Sequence, residues 1–553
     1  MIRRAMNFVI DRTGPLEAGL GIVFFVWLFR LLSAVIAGRD LWDDWSFALL
    51  GMLGVGVCFA VLLRVLSWIT GYGSGVVGVA STVIKEALNI RLVGVVVLIL
   101  VVMLPWMAVT VASEDRLSYR IQAYLEYSLS LVLVVMSLMT VLLGCRTLSK
   151  EVEDKQIMIV GVKPVSRPMY LVGKWLGVMF LNVLLVLVSM GSVYWFTAGY
   201  LANQKAKTDF ETVYVKDGLL AGNVTVQPRP ASNLMQLAEQ RVQERVKREM
   251  GDVLELGRLE ALEKNYGDTT DQNLLMKWGV DRLRRSVQQE VMDQWMSIKA
   301  NNRKTYVFEG LQDVRRLKRS LQIRYKANSS KNPRSREITV VAEIAGQQKP
   351  FSITLSREEV IIVPWQSVDV DGRLEFTVIN VDAYGGPVEW QTLHFSATHG
   401  MELFYPKVSF TTNYVRAFFL VLIKLGFLTI MSLTFATFLG FPVAVLSAVL
   451  ICVAASFSDF FLSAAADIRR INETQTGFDI QLQGLAGFLG EIISGIMLEY
   501  SQYKPVANLV DGRLISWSHV VSCLGWIGVL WTGVTGLIGV FVFRSRELAR
   551  VQV

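Results

Sequence analysis

The densest set of chemically capable side chains in this sequence lies between two apolar runs, in GCRTLSKEVEDKQIMIVGVKPVSRPMYLVGKWLG at 144–177. Lys150, Glu151, Glu153, Asp154 and Lys155 form a turn of mixed charge. Lys163, Pro164, Ser166, Arg167, Gly173 and Lys174 follow before the next apolar run. Charges of both signs on a short amphipathic helix suit docking against a soluble partner rather than bond-making chemistry. Pro164 would end that helix, and Gly173 would let the following one approach a neighbour closely. The plainer reading of the same residues is an ordinary basic loop at the inner face of a membrane. Two further cations, Arg30 and Lys424, lie deep inside apolar runs. A charge at that depth is a functional candidate, or it snorkels or pairs with a neighbouring helix.

Catalytic and metal chemistry is poorly provided for. His394 and His399 have no nearby Cys, Asp or Glu at zinc-site spacing, so no metal ligands are expected. Cys58, Cys145, Cys452 and Cys523 all sit in apolar runs and read as small buried hydrophobes. No paired carboxylates, His cluster or Ser/His pair falls at a common depth, which argues against a membrane-embedded enzyme. The chain also lacks a G-x-x-x-x-G-K-[ST] phosphate loop. Its nearest approach, PMYLVGK at 168–174, has no first glycine and continues with Trp175, so nothing would cradle nucleotide phosphates.

The elements that must position these residues follow from composition. The chain has 553 residues, of which 52% are hydrophobic and 18% charged, with a mean hydropathy of +0.42. A soluble globular protein carries about 25% charge, so a polytopic α-helical membrane protein is the expected fold class. A crossing helix needs roughly 20 mostly apolar residues. Such runs occur at 19–37, 46–63, 92–112, 127–145, 172–199, 412–438, 442–463 and 517–543, giving about eight transmembrane helices. A ninth run, 484–498, is glycine-rich, contains Glu491 and reads as a short re-entrant helix.

Basic residues near the spans mark the cytoplasmic side. Arg3, Arg4 and Arg12, then Arg64, Lys85 and Arg91, the 146–174 set, and Arg544, Arg546 and Arg550 all fall on one side if there are eight spans. Both termini are then cytoplasmic and 200–411 is extracytoplasmic. The net charge of +8 is explained by this anchoring, and no nucleic-acid partner is expected. The first run is expected to be an uncleaved span, since it is long, lacks a clear small-residue cleavage site and carries Arg30.

The extracytoplasmic stretch reads as an α+β domain. Over 201–410 there are 30 Lys plus Arg against 27 Asp plus Glu. Apolar residues at helical spacing (Ala238, Val242, Val246, Met250; then Met276, Val280, Leu283, Val287, Val291) predict a helical hairpin within 200–303. From 304 to 411 the period becomes two, as in Ile338, Val340, Ala342 and in Leu374, Phe376, Val378, which predicts a β-sandwich. The basic clusters at 245–248 and 315–319 read as solvated faces, or alternatively as contacts for anionic lipid or polysaccharide.

At 144–177 the sequence resembles the permease subunits of type-2 ABC exporters. Their E-x-E turn, K-P-V-S-R element and G-K opening the next span correspond here to Glu151, Glu153, Lys163, Pro164, Val165, Ser166, Arg167, Gly173 and Lys174. The likeness extends to an interfacial helix at 80–91 (ASTVIKEALNIR), a polar turn at 431–447 and the basic ending FVFRSRELARV. It covers roughly 78–199 and 412–553, with six core spans. Residues 1–77 would be a two-span extension and 200–411 an insertion between the two halves of the core.

The resemblance implies a membrane-spanning permease in a bacterial inner membrane, itself without cofactor. ATP and Mg would be bound by a separate ABC ATPase subunit, with 148–163 as the coupling helix. A second permease chain, membrane lipids and a periplasmic protein would be its other partners. Ser432, Thr434 and Thr437 would line the translocation path or form interhelical hydrogen bonds. The alternative from another class is a non-transporting scaffold or mechanotransmission protein acting through 200–411.

Overall fold

The computed structural model describes residues 23–24, 26–28, 44–70, 75–89, 91–111, 117–153, 166–200, 209–230, 232–255, 284, 286–288, 290–331, 337–382, 388, 391–395, 400–456 and 500–545. Arg30, the 154–165 part of the charged loop and the 484–498 run lie outside them. The chain divides into two compact units, Met1–Gly222 with Ser409–Val553, and Asn223–Val408.

The first unit is helical. Its helices are α1 (Asp44–Thr70), α2 (Val76–Asn89), α3 (Arg91–Thr110), α4 (Leu117–Glu153), α5 (Arg167–Trp195) and α6 (Asp209–Val213). Five helices among the described residues are long and apolar enough to cross a membrane: Val93–Thr110, Leu117–Glu151, Arg167–Gly199, Phe410–Phe438 and Trp517–Ser545. Two of the expected runs appear as the shorter apolar helices Ser46–Leu62 and Phe441–Ser456. The 19–37 run falls largely outside the described residues.

Local chemistry sets the helix ends. Ser409 caps the Phe410–Phe438 helix by accepting the Thr412 N–H. Pro168 occupies the first turn of α5, where its missing N–H costs nothing.

The second unit combines a helical hairpin with two sheets. Helix α7 (Ser232–Glu255) packs against a second helix that ends at 295, through Ala238, Val242, Val287 and Val291. Arg241 to Gln294, Arg245 to Glu290 and Arg284 to Glu239 flank that seam. The strands are β1 (Ala221–Val226), β2 (Ser297–Lys299), β3 (Arg303–Phe308), β4 (Leu321–Ser329), β5 (Glu337–Ile344), β6 (Gln347–Thr354), β7 (Glu358–Val363), β8 (Leu374–Ile379), β9 (Thr392–Phe395) and β10 (Met401–Ser409). One short helix, α8 (Gln312–Leu317), lies between β3 and β4.

One sheet runs β1-β10-β4-β9-β2 with β7 also on β4, and the other runs β3-β8-β5-β6. The alternation expected at Ile338, Val340, Ala342 and at Leu374, Phe376, Val378 points into one core with Ile323, Tyr325, Leu393 and Leu403 of the other sheet. β1 lies inside the stretch expected to be helical, so the sheets draw strands from both sides of the hairpin. The β5–β6 connection is the two-residue turn Ala345-Gly346, both at positive φ (50° and 77°), which matches strand twist.

The remaining helices return to the first unit: α9 (Phe410–Phe438), α10 (Phe441–Ser456), α11 (Pro505–Val510), α12 (Trp517–Cys523) and, after a π-helical stretch Leu524–Trp531, α13 (Thr532–Ser545). α9 is the hub: 72% of its most apolar window is buried, against 17% for the span formed by α12 and α13. Polar tips reach across to neighbouring backbones. Trp175 Nε1 donates to Gly426 O (2.9 Å), and Tyr414 OH donates to Met190 O (2.7 Å).

Candidate functional site

The residues of the charged motif that fall in the described structure gather at one end of the helical unit. Residues 148–153, the expected start of a separate coupling helix, are instead the last turns of the 37-residue α4. That helix projects its charged end beyond its apolar stretch. Lys150 is exposed there, and Glu153 is the last described residue of the helix.

Glu151 turns inward. Its Oε1 accepts from Lys174 Nζ at 2.6 Å, its Oε2 accepts from the Tyr170 hydroxyl, and the Lys174 side chain is fully buried. Lys174 also lies 5.5 Å from the centre of the Tyr170 ring. The two ends of the charged segment are therefore tied together across 23 residues by a charge-assisted bond in a mostly buried setting.

Arg167 and Gly173 complete the arrangement. Arg167 donates to the carbonyls of Phe543 and Arg544 at 3.3 and 2.9 Å, and Tyr170 stacks on Phe543. The start of α5 is thereby joined to the end of α13. A Cβ on Gly173 would sit 2.8 Å from Val79 Cβ, and one on Gly177 2.8 Å from Ala80 O, so this G-x-x-x-G pair lets α2 lie against α5. Ser166 holds the N-cap position of α5, but its hydroxyl makes no capping bond.

Glu86 of α2 is a member that sequence reasoning missed. Burial raises its carboxyl pKa, and Lys174, Lys150 and Arg146 oppose that rise while Glu151 adds to it. An acidic residue six positions before the expected 92–112 span is a weak signal; only the packing of α2 on α5 brings it toward Lys174.

The other sequence-predicted residues are dispersed. Thr434 donates to Thr535 O (3.1 Å), an interhelical bond, while Ser432 and Thr437 bond back to carbonyls of α9 itself. All three are buried. Gly144 is what admits Ser432, since a Cβ there would overlap its hydroxyl.

Lys424 is buried within α9; its Nζ donates to Tyr503 O (2.8 Å) and stands 4.1 Å from the Tyr500 ring centre. It fixes the segment before α11 against the hub. Cations also occur at the Phe410 end of the unit, each held by protein groups: Arg416 donates to Ile515 O (2.8 Å), and Arg513 pairs with Asp511 (3.5 Å).

No group of three or more His, Cys, Asp or Glu able to hold a metal occurs among the described residues. The arrangement is built to brace and to present charge. Comparison with family models, with curated proteins and with solved structures yields no match.

Proposed function

We propose that this chain is the membrane-spanning permease subunit of an ATP-driven exporter of the ABC type, working with a separate ATPase subunit. The observation that supports this most is the Glu151–Lys174 tie. It joins the charged end of α4 to α5, while Gly173 and Gly177 let α2 lie against the same part of α5 and Arg167 bonds the end of α13. A partner pushing on 154–165 would meet a braced platform rather than a free loop, so a push would move several spans together. Nucleotide-dependent closure of the ATPases would bias such a bundle between two states. In this reading both termini are cytoplasmic, 200–411 is extracytoplasmic, and two permease chains form the complete exporter.

A second reading, mechanotransmission through the inserted unit, is favoured by one feature. β10 ends at Ser409 and α9 begins at Phe410, so the two elements are consecutive in the chain.

The test is purification of the full chain in mild detergent from its native membrane, with mass spectrometry of what accompanies it. Because Glu151 is paired with Lys174, the disruptive variant should spare it and reverse exposed Lys150 together with the charges that follow α4 in sequence: Lys150→Glu with Asp154→Lys and Lys155→Glu. A stoichiometric ATPase carrying its own phosphate loop, lost in that variant while the chain still inserts, is the expected result. Recovery of the chain with no ATPase would refute the exporter reading.

A further inference from the structure

His394 has no part in the reading above, and it lies in a polar cleft of the inserted unit. In the second helix of the hairpin, Val287 and Val291 pack into the seam with α7. Ser286, Glu290 and Asp293 form a neighbouring stripe on that helix, at i, i+4 and i+7. The chain then leaves the helix and enters β2 at Ser297. Strand register brings His394 alongside: Ser297 pairs with His394 on β9, and His394 also pairs with Asn328 of β4. Ser286, Glu290, Asp293, Gln294, Ser297 and His394 together line a cleft of about 460 Å³.

That volume is in the range of about 300–1,000 Å³ usual for small-molecule sites. The chemistry of the lining narrows the ligand. No three His, Cys, Asp or Glu among the described residues are placed to hold a metal, so Glu290, Asp293 and His394 do not make a metal site. Glu290 is already matched by Arg245 of α7 at 2.9 Å, and Arg241 of α7 donates to Gln294 Oε1 at 2.9 Å. Two arginines thus accompany the two carboxylates, which leaves little net charge to attract an ion of either sign. Every lining side chain carries a hydrogen-bonding group and none is aliphatic. Carboxylate and amide oxygens accept, and the Ser286 hydroxyl and the imidazole can donate. Ser297 Oγ donates to Gln294 O (2.7 Å), so toward a ligand it accepts. A neutral molecule with several hydroxyl groups, each donor and acceptor at once, answers such a lining. An apolar ligand would strand these groups.

We infer that this cleft binds a neutral saccharide through its hydroxyl groups. The six residues all belong to the Asn223–Val408 unit. The inference needs neither an ATPase nor a position for the membrane, so failure of the ATPase experiment leaves it standing.

The test records saturation-transfer NMR of maltose, cellobiose, lactose and N,N′-diacetylchitobiose with the full chain in phosphatidylcholine nanodiscs, with spermidine and inorganic phosphate as charged competitors. At least one disaccharide should receive saturation from the native chain. Ser286→Trp, which fills the cleft from an exposed position, should abolish the transfer, and Ser286→Ala should keep it. His394→Ala should weaken binding about fivefold through a lost hydrogen bond, and His394→Gln should restore most of it. Unchanged hydrogen-exchange protection of β5 and β8 reports that each variant is folded; if Ser286→Trp loses it, the two His394 variants carry the comparison. No saturation of any of the disaccharides by the folded native chain would overturn the proposal. So would transfer that survives in folded Ser286→Trp, which would put the saccharide elsewhere. Displacement of the disaccharide by spermidine or phosphate at equal concentration would also overturn it, by giving the cleft to a charged ligand.

Discussion

Among the described residues two lysines are buried in the helical unit, and they are held in different ways. Lys174 meets a carboxylate, Glu151, at 2.6 Å, at the charged end of α4 and α5. Lys424 meets a carbonyl and an aromatic face, Tyr503 O at 2.8 Å and the Tyr500 ring at 4.1 Å. An ion pair is brittle, because loss of one partner strands a full charge in a poor solvent. A cation held by a carbonyl dipole and a π face leaves no charge behind when it is removed. The first lysine therefore belongs to an ion-paired brace between α4 and α5, and the second to an attachment of the segment before α11 to the hub.

This contrast can be broken or sharpened by substitution. Glu151→Ala should cost the most, about 3–5 kcal/mol, because fully buried Lys174 is left without its anion. Glu151→Leu combined with Lys174→Met should recover most of that loss. Thermal unfolding of the detergent-solubilised chain reads both, and a double variant as unstable as the single one would remove the brace from the account. Gly177→Val should come next, at about 1–3 kcal/mol from overpacking against Ala80 and Val83. Lys424→Met should change stability by less than about 1 kcal/mol, or raise it, since no carboxylate is stranded. A loss as large as that of Glu151→Ala would erase the distinction between the two lysines.

The smallest expected effect is the pH response of Glu86. Burial raises its carboxyl pKa, so the folded state holds the proton more tightly than the unfolded one. Its contribution to stability is greatest when it is protonated and declines as pH rises through its titration. Glu86→Gln should flatten that decline in the unfolding midpoint measured across acidic pH.

Much of this architecture was legible in the sequence. Runs of apolar residues marked the five described helices long and apolar enough to cross a membrane, because length and hydropathy are local properties. Period-two alternation placed Ile338, Val340, Ala342 and Leu374, Phe376, Val378 in one core for the same reason. Partners distant in sequence were not legible. Glu151 and Lys174 stood out only as two charges of a motif, and nothing local says that they touch. β1 was hidden because six residues, three of them buried, precede a hairpin with strong helical spacing. Lys424 lacked any carboxylate to suggest a partner, and a backbone carbonyl 79 residues away leaves no trace in side-chain identity. The end of α4 differed from expectation because no residue between 145 and 153 breaks a helix, so the span simply continues into its charged turns.

The central claim is that the loop closed by Glu151 and Lys174 receives an ATPase. The most direct measurement is photocrosslinking in native membranes with benzoylphenylalanine at Gln156, five residues beyond Glu151. The account predicts an adduct between this chain and an ATPase that carries its own phosphate loop, with a yield that changes when ATP is supplied. An adduct with an extracytoplasmic protein, or no protein adduct while the chain is inserted and folded, would contradict it.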